Sequence, residues 1–294
     1  MNKFRLSSNA FDRESEEEKV LPKKVFFISV EGNITEKEYL QQLAIYREKL
    51  GIDALVNIEV LQRQSSDTNS APTQVIELLE EYMHLRELSQ DDLIKEIPEK
   101  LIKTFGEDTI KLFLKDTSQI NRILKNKINT ELTKYGYDLN YRKYLNKFDS
   151  NFDEFCVLID RDSQNHSEIN MQDCIFYCNQ KGYNCYISNP CFEFWLLLHF
   201  SNVFEEYAND LELIKQNSKV SNAHTFVSRE VSNKAHHGKK HIGFKTNYLP
   251  NVDKAITNAK LFPSNPDQLV DSIGCNIWQL IENMRAVNLN ETED

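Results

Sequence analysis

Two strongly apolar runs, far apart in the chain, each end abruptly in acid. Residues 155–162 read Phe-Cys-Val-Leu-Ile-Asp160-Arg161-Asp162, and residues 25–32 read Val-Phe-Phe-Ile-Ser-Val-Glu31-Gly32. Short apolar runs without polar alternation are the pattern of strands covered on both faces, as in a parallel sheet flanked by helices. In open sheets of that kind ligands bind beyond the carboxyl ends of the strands. The acids stand at those ends, so the chain carries the elements of a divalent-metal site on an α/β fold.

The rest of the chain fits this frame. After the run at 25–30, Thr35 with Glu38 three residues on forms a capping-box pattern, and a helix carrying Tyr39, Leu40, Leu43 and Tyr46 is expected to stop near Gly51. Residues 56–61 alternate as a second strand, residues 62–71 are loop-like, and Pro72 suits the first turn of a helix. A helix over 168–180 ending at Gly182, a strand over 184–188 and a nearly all-apolar helix over 191–200 follow the strand at 155–160. A single helix is predicted over 266–284. The expected fold is thus α/β, a mostly parallel four-stranded sheet of Rossmann-like type flanked by helices.

Two segments depart from that rhythm. Residues 1–21 are polar, contain Glu16-Glu17-Glu18, and are expected to be a disordered leader. Residues 90–149 hold charged helical patterns and no convincing strand, and are expected to be a helical insertion into an α/β domain made of 22–89 and 150–290. No apolar run is long enough to span a membrane and no secretory signal is present, so a cytoplasmic protein is expected. Six cysteines without a Cys-x-x-Cys pair read as buried free thiols.

The net charge of −10 argues against a protein coated for nucleic acid. One stretch differs. From Lys219 to Lys260 it holds Lys219, Arg229, Lys234, Lys239, Lys240, Lys245, Lys254 and Lys260 against Glu230 and Asp253 alone. A local basic surface of this kind suits backbone phosphates, with Lys239, Lys240, Lys245 and Lys254 as contacts and Phe244 and Tyr248 available for stacking. The alternative is a solvated loop with accidental bias. His236, His237 and His241 lie within it, but Gly238 and the absence of a Glu after His237 weaken any zinc reading.

Asp160 and Asp162 would repel each other when both are ionised, and a hard cation such as Mg²⁺ or Mn²⁺ relieves that cost through oxygen ligands. Glu31 supplies a third carboxylate if the two strands are neighbours, and such a group suits phosphoryl transfer. The plainer alternative is that Asp160 or Asp162 caps the following helix while Arg161 pairs with an acid. Glu193 is a lone acid in Ser188-Asn-Pro-Cys-Phe-Glu193-Phe-Trp-Leu-Leu-Leu-His199-Phe, where unpaired burial is costly. Its partner is a base, a helix N-terminus or the metal. His199 reads as a core histidine. A Gly-Lys-Ser/Thr phosphate loop and a Rossmann glycine fingerprint are both absent.

Three blocks together resemble the RloB-like family, which also includes the second component of the AbiL abortive-infection system. They are Ser29-Val-Glu31-Gly32-Asn-Ile-Thr35-Glu36-Lys-Glu-Tyr39, Ile159-Asp160-Arg161-Asp162 and the block from Ser188 to Phe200, the last being the most specific. The section with Tyr248, Lys254 and Asn265-Pro266…Leu269-Val270 is similar more weakly, and residues 90–150 depart from the family pattern. The resemblance implies a TOPRIM-like fold. On it Asp160 and Asp162 would be Mg²⁺ ligands, and Glu31 a ligand or general acid/base. Glu193 would be a catalytic-site residue whose role the family does not assign. It further implies a nuclease effector of defence against phage, acting on DNA or RNA (tRNA included), encoded beside an AAA- or ABC-type ATPase. The competing expectation is a non-catalytic sensor or regulatory module for such an ATPase. Homo-oligomerisation is compatible with either.

Overall fold

The computed structural model describes residues 24–32, 34–61, 72–115, 119–134, 153–235 and 242–287. The leader at 1–21, the loop at 62–71 and Lys239 and Lys240 lie outside the described residues, as do residues 135–149 of the expected insertion.

Strands β1 (Lys24–Val30), β2 (Val56–Val60), β3 (Glu154–Asp160), β4 (Asn184–Asn189) and β5 (Gly274–Cys275) form one sheet in the order β2-β1-β3-β4-β5. The first four run parallel, and β5 pairs antiparallel with β4. The register matches Val30 with Leu158 and Asp160 with Ser188, so the carboxyl ends of β1, β3 and β4 lie side by side.

Side-chain alternation divides the interior into two layers. Phe26, Ile28 and Val30 face one side, where they meet helix α1 (Thr35–Ile45) and the C-terminal helix Ile277–Arg285. Val25 and Phe27 face the other, against helix α2 (Pro72–Glu87). Ser29 shares that second face and donates to the Val75 carbonyl at 2.6 Å, which satisfies the one hydroxyl in an otherwise apolar strand. Both faces are buried, which is why these strands read as continuous apolar runs.

Between β2 and β3, helices α3 (Gln90–Glu96), α4 (Glu99–Phe105), α5 (Glu107–Lys115) and α6 (Arg122–Lys134) close around a core of their own. Leu93, Ile97, Leu101, Ile110, Phe113, Ile128 and Leu132 form it, separate from the two sheet cores. Helix α7 (Glu168–Lys181) follows β3 and ends at Gly182, with φ +72°. Helix α8 (Phe192–Leu198) follows β4 and buries Phe192, Phe194, Trp195 and Leu196–Leu198 in the first layer. No helix among the described residues is long and apolar enough to cross a membrane, and all six cysteines are buried free thiols.

Two expectations need correction. The helix predicted over 266–284 is broken into Pro266–Leu269, β5 and Ile277–Arg285, which gives the sheet its fifth strand. The break is at Gly274: its φ is +156°, and a Cβ there would stand 2.4 Å from the Pro263 carbonyl oxygen. Beside it, the Asn276 side chain takes over the hydrogen bonds of a longer strand, accepting from Ile187 N at 2.6 Å and donating to Cys185 O at 3.0 Å. The capping box at Thr35 is also absent. Ile34 holds the N-cap position without a side-chain bond, and the Glu38 carboxylate instead accepts from Ile242 N at 3.2 Å.

Candidate carboxylate-cluster site

The sheet order makes β1 and β3 neighbours, so Glu31 reaches across to the end of β3. Its Oε2 accepts from the Asp160 backbone N–H at 3.0 Å, and its own N–H donates to Leu158 O at 3.2 Å. Its Oε1 lies 3.1 Å from His166 Nε2. Glu31 is therefore held from two sides in a mostly buried position.

Asp160 keeps some exposure as a residue, yet its carboxyl is enclosed. Burial first, then the fields of Glu36, Glu31, Glu193 and Asp162, push its pKa well above the ordinary carboxylate range. Five acids thus converge on the carboxyl ends of β1 and β3 and the first turn of α8. Asp162 sits just beyond the strand at φ +22°, a backbone region that Asp tolerates better than most residues. Its Oδ1 accepts from Gln164 N at 3.3 Å and its Oδ2 from Asn165 Nδ2 at 2.7 Å.

The plainer reading of Asp160 and Asp162 fails on two counts. Ser167, not an aspartate, caps α7, its Oγ accepting from Asn170 N at 3.2 Å. Arg161 is buried and donates to two carbonyls, Val270 O from Nε and His166 O from Nη1 at 2.7 Å. It braces the loop after β3 rather than pairing with an acid.

Glu193 stands in the first turn of α8, where the N-cap residue Cys191 makes no side-chain cap bond. The helix terminus therefore favours an acid there, while the same side chain takes part in the cluster. Burial raises the Cys191 thiol well above its ordinary range, with Glu193 and Asp160 adding to the shift. Tyr248 is raised by burial and then by Glu193 and Glu38.

Glu36 was not singled out from the sequence. Buried in the first turn of α1, its carboxyl is pushed up to about 7 by burial, with Glu193 and Glu31 adding and backbone N–H bonds at Glu36 and Gly32 opposing. It packs so closely on Gly32 that a Cβ at that position would fall 2.1 Å from Glu36 Oε2. The Glu31-Gly32 dipeptide, with an acid soon after in the helix, was the available signal. His166 was also missed. Its pKa is raised above the ordinary value by the Glu31 hydrogen bond, with burial opposing.

The donor chemistry is all oxygen, which suits a hard cation. Among the described residues, however, no three His, Cys, Asp or Glu side chains stand together as a ready-made metal site. The carboxylates of Glu31 and Asp162 are turned to hydrogen-bond donors instead.

The basic stretch is placed only in part. Lys245 is exposed. Lys254 Nζ donates to Phe200 O at 2.7 Å, beyond the end of α8 opposite Glu193. Phe244 and Tyr248 are buried against the Tyr39 ring, at centroid distances of 5.0 and 6.0 Å, so the expected stacking role falls. Their four-residue spacing puts both on the inner side of the chain. Ile242, just past Lys239 and Lys240, is tied to Glu38 two residues along α1 from Glu36.

His199 is a core histidine, as the sequence suggested. Nδ1 faces the Trp195 carbonyl at 3.0 Å and must donate, so Nε2 accepts from the Tyr39 hydroxyl at 3.0 Å. Burial lowers its pKa to about 3, which keeps it neutral.

A family model described as RloB-like protein matches residues 26–284. No curated protein matches the chain, and no solved structure does.

Proposed function

The chain belongs to the RloB-like family, and we propose that it is a Mg²⁺-dependent nuclease on a TOPRIM-like fold, the effector of an anti-phage system working with a partner ATPase of AAA or ABC type. The observation that carries this reading is the convergence of Glu31, Glu36, Asp160, Asp162 and Glu193 at the carboxyl edge of a parallel sheet. Carboxylates so arranged raise one another's cost of ionisation, and a pair of acids with raised pKa values is the expected signature of a functional site.

Asp160, Asp162, Glu193 and Glu36 are the side chains that would hold Mg²⁺ or Mn²⁺. The bound cation would neutralise charge developing on the phosphoryl oxygens. Glu31, fixed by the Asp160 amide and His166, is suited to take a proton from attacking water or to return one to the leaving oxygen. Lys239, Lys240, Lys245 and Lys254 would neutralise backbone phosphates of the DNA or RNA, with the Lys254 bond to Phe200 making it the weakest of the four candidates. Cytoplasmic action fits free cysteines.

The test is cleavage of DNA and tRNA pools by the purified protein, with Mg²⁺, Mn²⁺ or chelator, comparing wild type with Asp160→Asn and Glu31→Ala. Both variants are expected to remain folded and to lose divalent-dependent cleavage. Full activity in either one removes that residue's assigned role. The separate core of α3–α6 favours a second reading, in which this segment docks a protein partner and the chain only regulates the ATPase. Deletion of 90–150 would then abolish partner binding, while the two acid variants would keep full defence.

A further inference from the structure

We propose that His166 is a positioning residue that fixes the Glu31 carboxylate in a single orientation, an inference that rests on the nuclease reading of the site. A glutamate side chain has three rotatable torsions, and one anchored oxygen leaves the carboxyl free to swing about that contact. Glu31 is anchored at both oxygens. The Asp160 N–H belongs to the strand ladder and cannot move independently of the sheet, so it fixes Oε2. His166 is the side chain that fixes Oε1. With both in place, the remaining lone pairs of Glu31 point in set directions.

The fold goes to some length to deliver this imidazole. His166 lies six residues past the end of β3, on a loop that turns back toward β1. Arg161 N–H and Asp162 N–H donate to Ser188 O and Pro190 O, at 2.8 and 2.9 Å, which ties the start of the loop to the neighbouring strand. His166 N–H closes the turn onto Asp162 O at 2.9 Å. The buried Arg161 guanidinium then clamps the His166 carbonyl to that of Val270. A buried guanidinium spent on two carbonyls is an expensive device, and its effect is to hold the His166 backbone so that the ring meets Glu31. The same loop carries Asp162, so one brace sets the position of one acid and of the group that orients a second.

Outer partners that orient metal-site residues cost about 10–100-fold in activity when removed, and the same range is expected for the partner that orients the acid–base group Glu31. The experiment measures single-turnover cleavage with Mn²⁺ by full-length wild type, His166→Ala, His166→Gln, Glu31→Ala and the double variant Glu31→Ala/His166→Ala. His166→Ala is expected to slow cleavage by about 10–100-fold with KM little changed. His166→Gln keeps an N–H donor and is expected to recover most of the rate. In the Glu31→Ala background, whose residual rate is followed with enzyme in large excess over long incubations, the second substitution is expected to have no further effect, because His166 acts through Glu31. A purely structural histidine would give the opposite cycle, slowing Glu31→Ala by the same factor as wild type, and that result overturns the inference. Wild-type rates in His166→Ala, or a His166→Gln variant as slow as His166→Ala, overturn it too. If His166→Ala fails to fold, the Gln variant and its own cycle decide. A wild-type protein inert on every nucleic-acid pool, or a fully active Glu31→Ala, overturns the nuclease reading and this inference with it. Inactive Glu31→Ala beside fully active His166→Ala overturns this inference alone.

Discussion

Replacing Glu36 by Gln isolates the electrostatic cost of the acid cluster. Glu36 is buried, and its carboxyl is pushed from an ordinary 4.5 up to about 7. The folded state therefore holds this proton more tightly than the unfolded chain does. By linkage, the extra stability is fully present below pH 4.5 and is lost as pH rises through 7. The size follows from the shift: 7 less 4.5, at 1.36 kcal/mol per unit, is about 3 kcal/mol. Asp160 adds to the effect with the same sign, since its carboxyl is also raised and Glu36 is the first of the neighbouring charges that raise it. His166 shares the sign as well: its folded pKa is raised, so its contribution is present below its unfolded value and fades as pH climbs through the folded one.

The assay is urea unfolding in chelator at intervals from pH 4.5 to 8, for wild type and Glu36→Gln. Groups common to both proteins and remote from Glu36 cancel in the difference, including Asp92 and Glu206, whose lowered values work in the opposite direction. Wild type is expected to lose about 3 kcal/mol relative to the variant across this range. Added Mg²⁺ or Mn²⁺ is expected to restore wild type most strongly at the alkaline end, where the cluster has shed its protons. Parallel pH profiles for the two proteins would refute the reasoning, because Glu36 would then titrate as an ordinary surface acid. A variant that loses stability relative to wild type as pH rises would contradict even its sign.

Gly32→Ala is expected to cost about 1 kcal/mol or less in stability, because only the flexible end of Glu36 stands in the way of a Cβ, yet to abolish divalent-dependent cleavage by displacing that carboxylate; paired urea and cleavage measurements check this. Tyr39→Phe leaves the buried Nε2 of His199 without its donor and is expected to destabilise by about 1–3 kcal/mol, with no pH dependence between 5 and 8 since His199 stays neutral there. Gly274→Ala meets the backbone oxygen of Pro263 at a positive φ and is expected to destabilise by several times the cost of Gly32→Ala, which urea unfolding would show directly.

Much of the fold is legible because a strand buried on both faces must be apolar along its whole length. Residues 25–30 and 155–160 meet that demand but for Ser29 and the terminal Asp160, residues 185–187 meet it within 184–188, and 56–60 instead alternates with Asn57 and Glu59; all four segments are strands. β5 does not register, since two residues carry no period, and the helical pattern of residues 266–284 overrides them. Gly274 and Asn276 were the local signals against a continuous helix: one marks a backbone approach no side chain permits, the other a polar side chain placed to pair with a strand. The same limit of period explains Phe244 and Tyr248. Interleaved with lysines they resemble a nucleic-acid face, but residues four apart on a helical turn share one side, and that side packs on Tyr39.

The site was legible only as separate pieces, because no one-dimensional pattern states which strands are neighbours. Adjacent strands lie about 5 Å apart, so each strand placed between β1 and β3 would have moved Glu31 that much further from Asp160. The 3.0 Å bond from the Asp160 amide to Glu31 would then be out of reach. The order β1-β3-β4 instead sets the ends of the three motif blocks on consecutive strands. The helices that follow β1 and β4 begin within a turn of those ends, and so Glu36 and Glu193 join the cluster. Glu36 looked like an ordinary first-turn acid, the residue a helix N-terminus favours anyway, whereas Glu193 already stood out as a lone acid in an apolar run. What distinguishes them is burial beside other acids. That depends on the sheet order, and it is why the cluster has five members where strand tips alone suggested three.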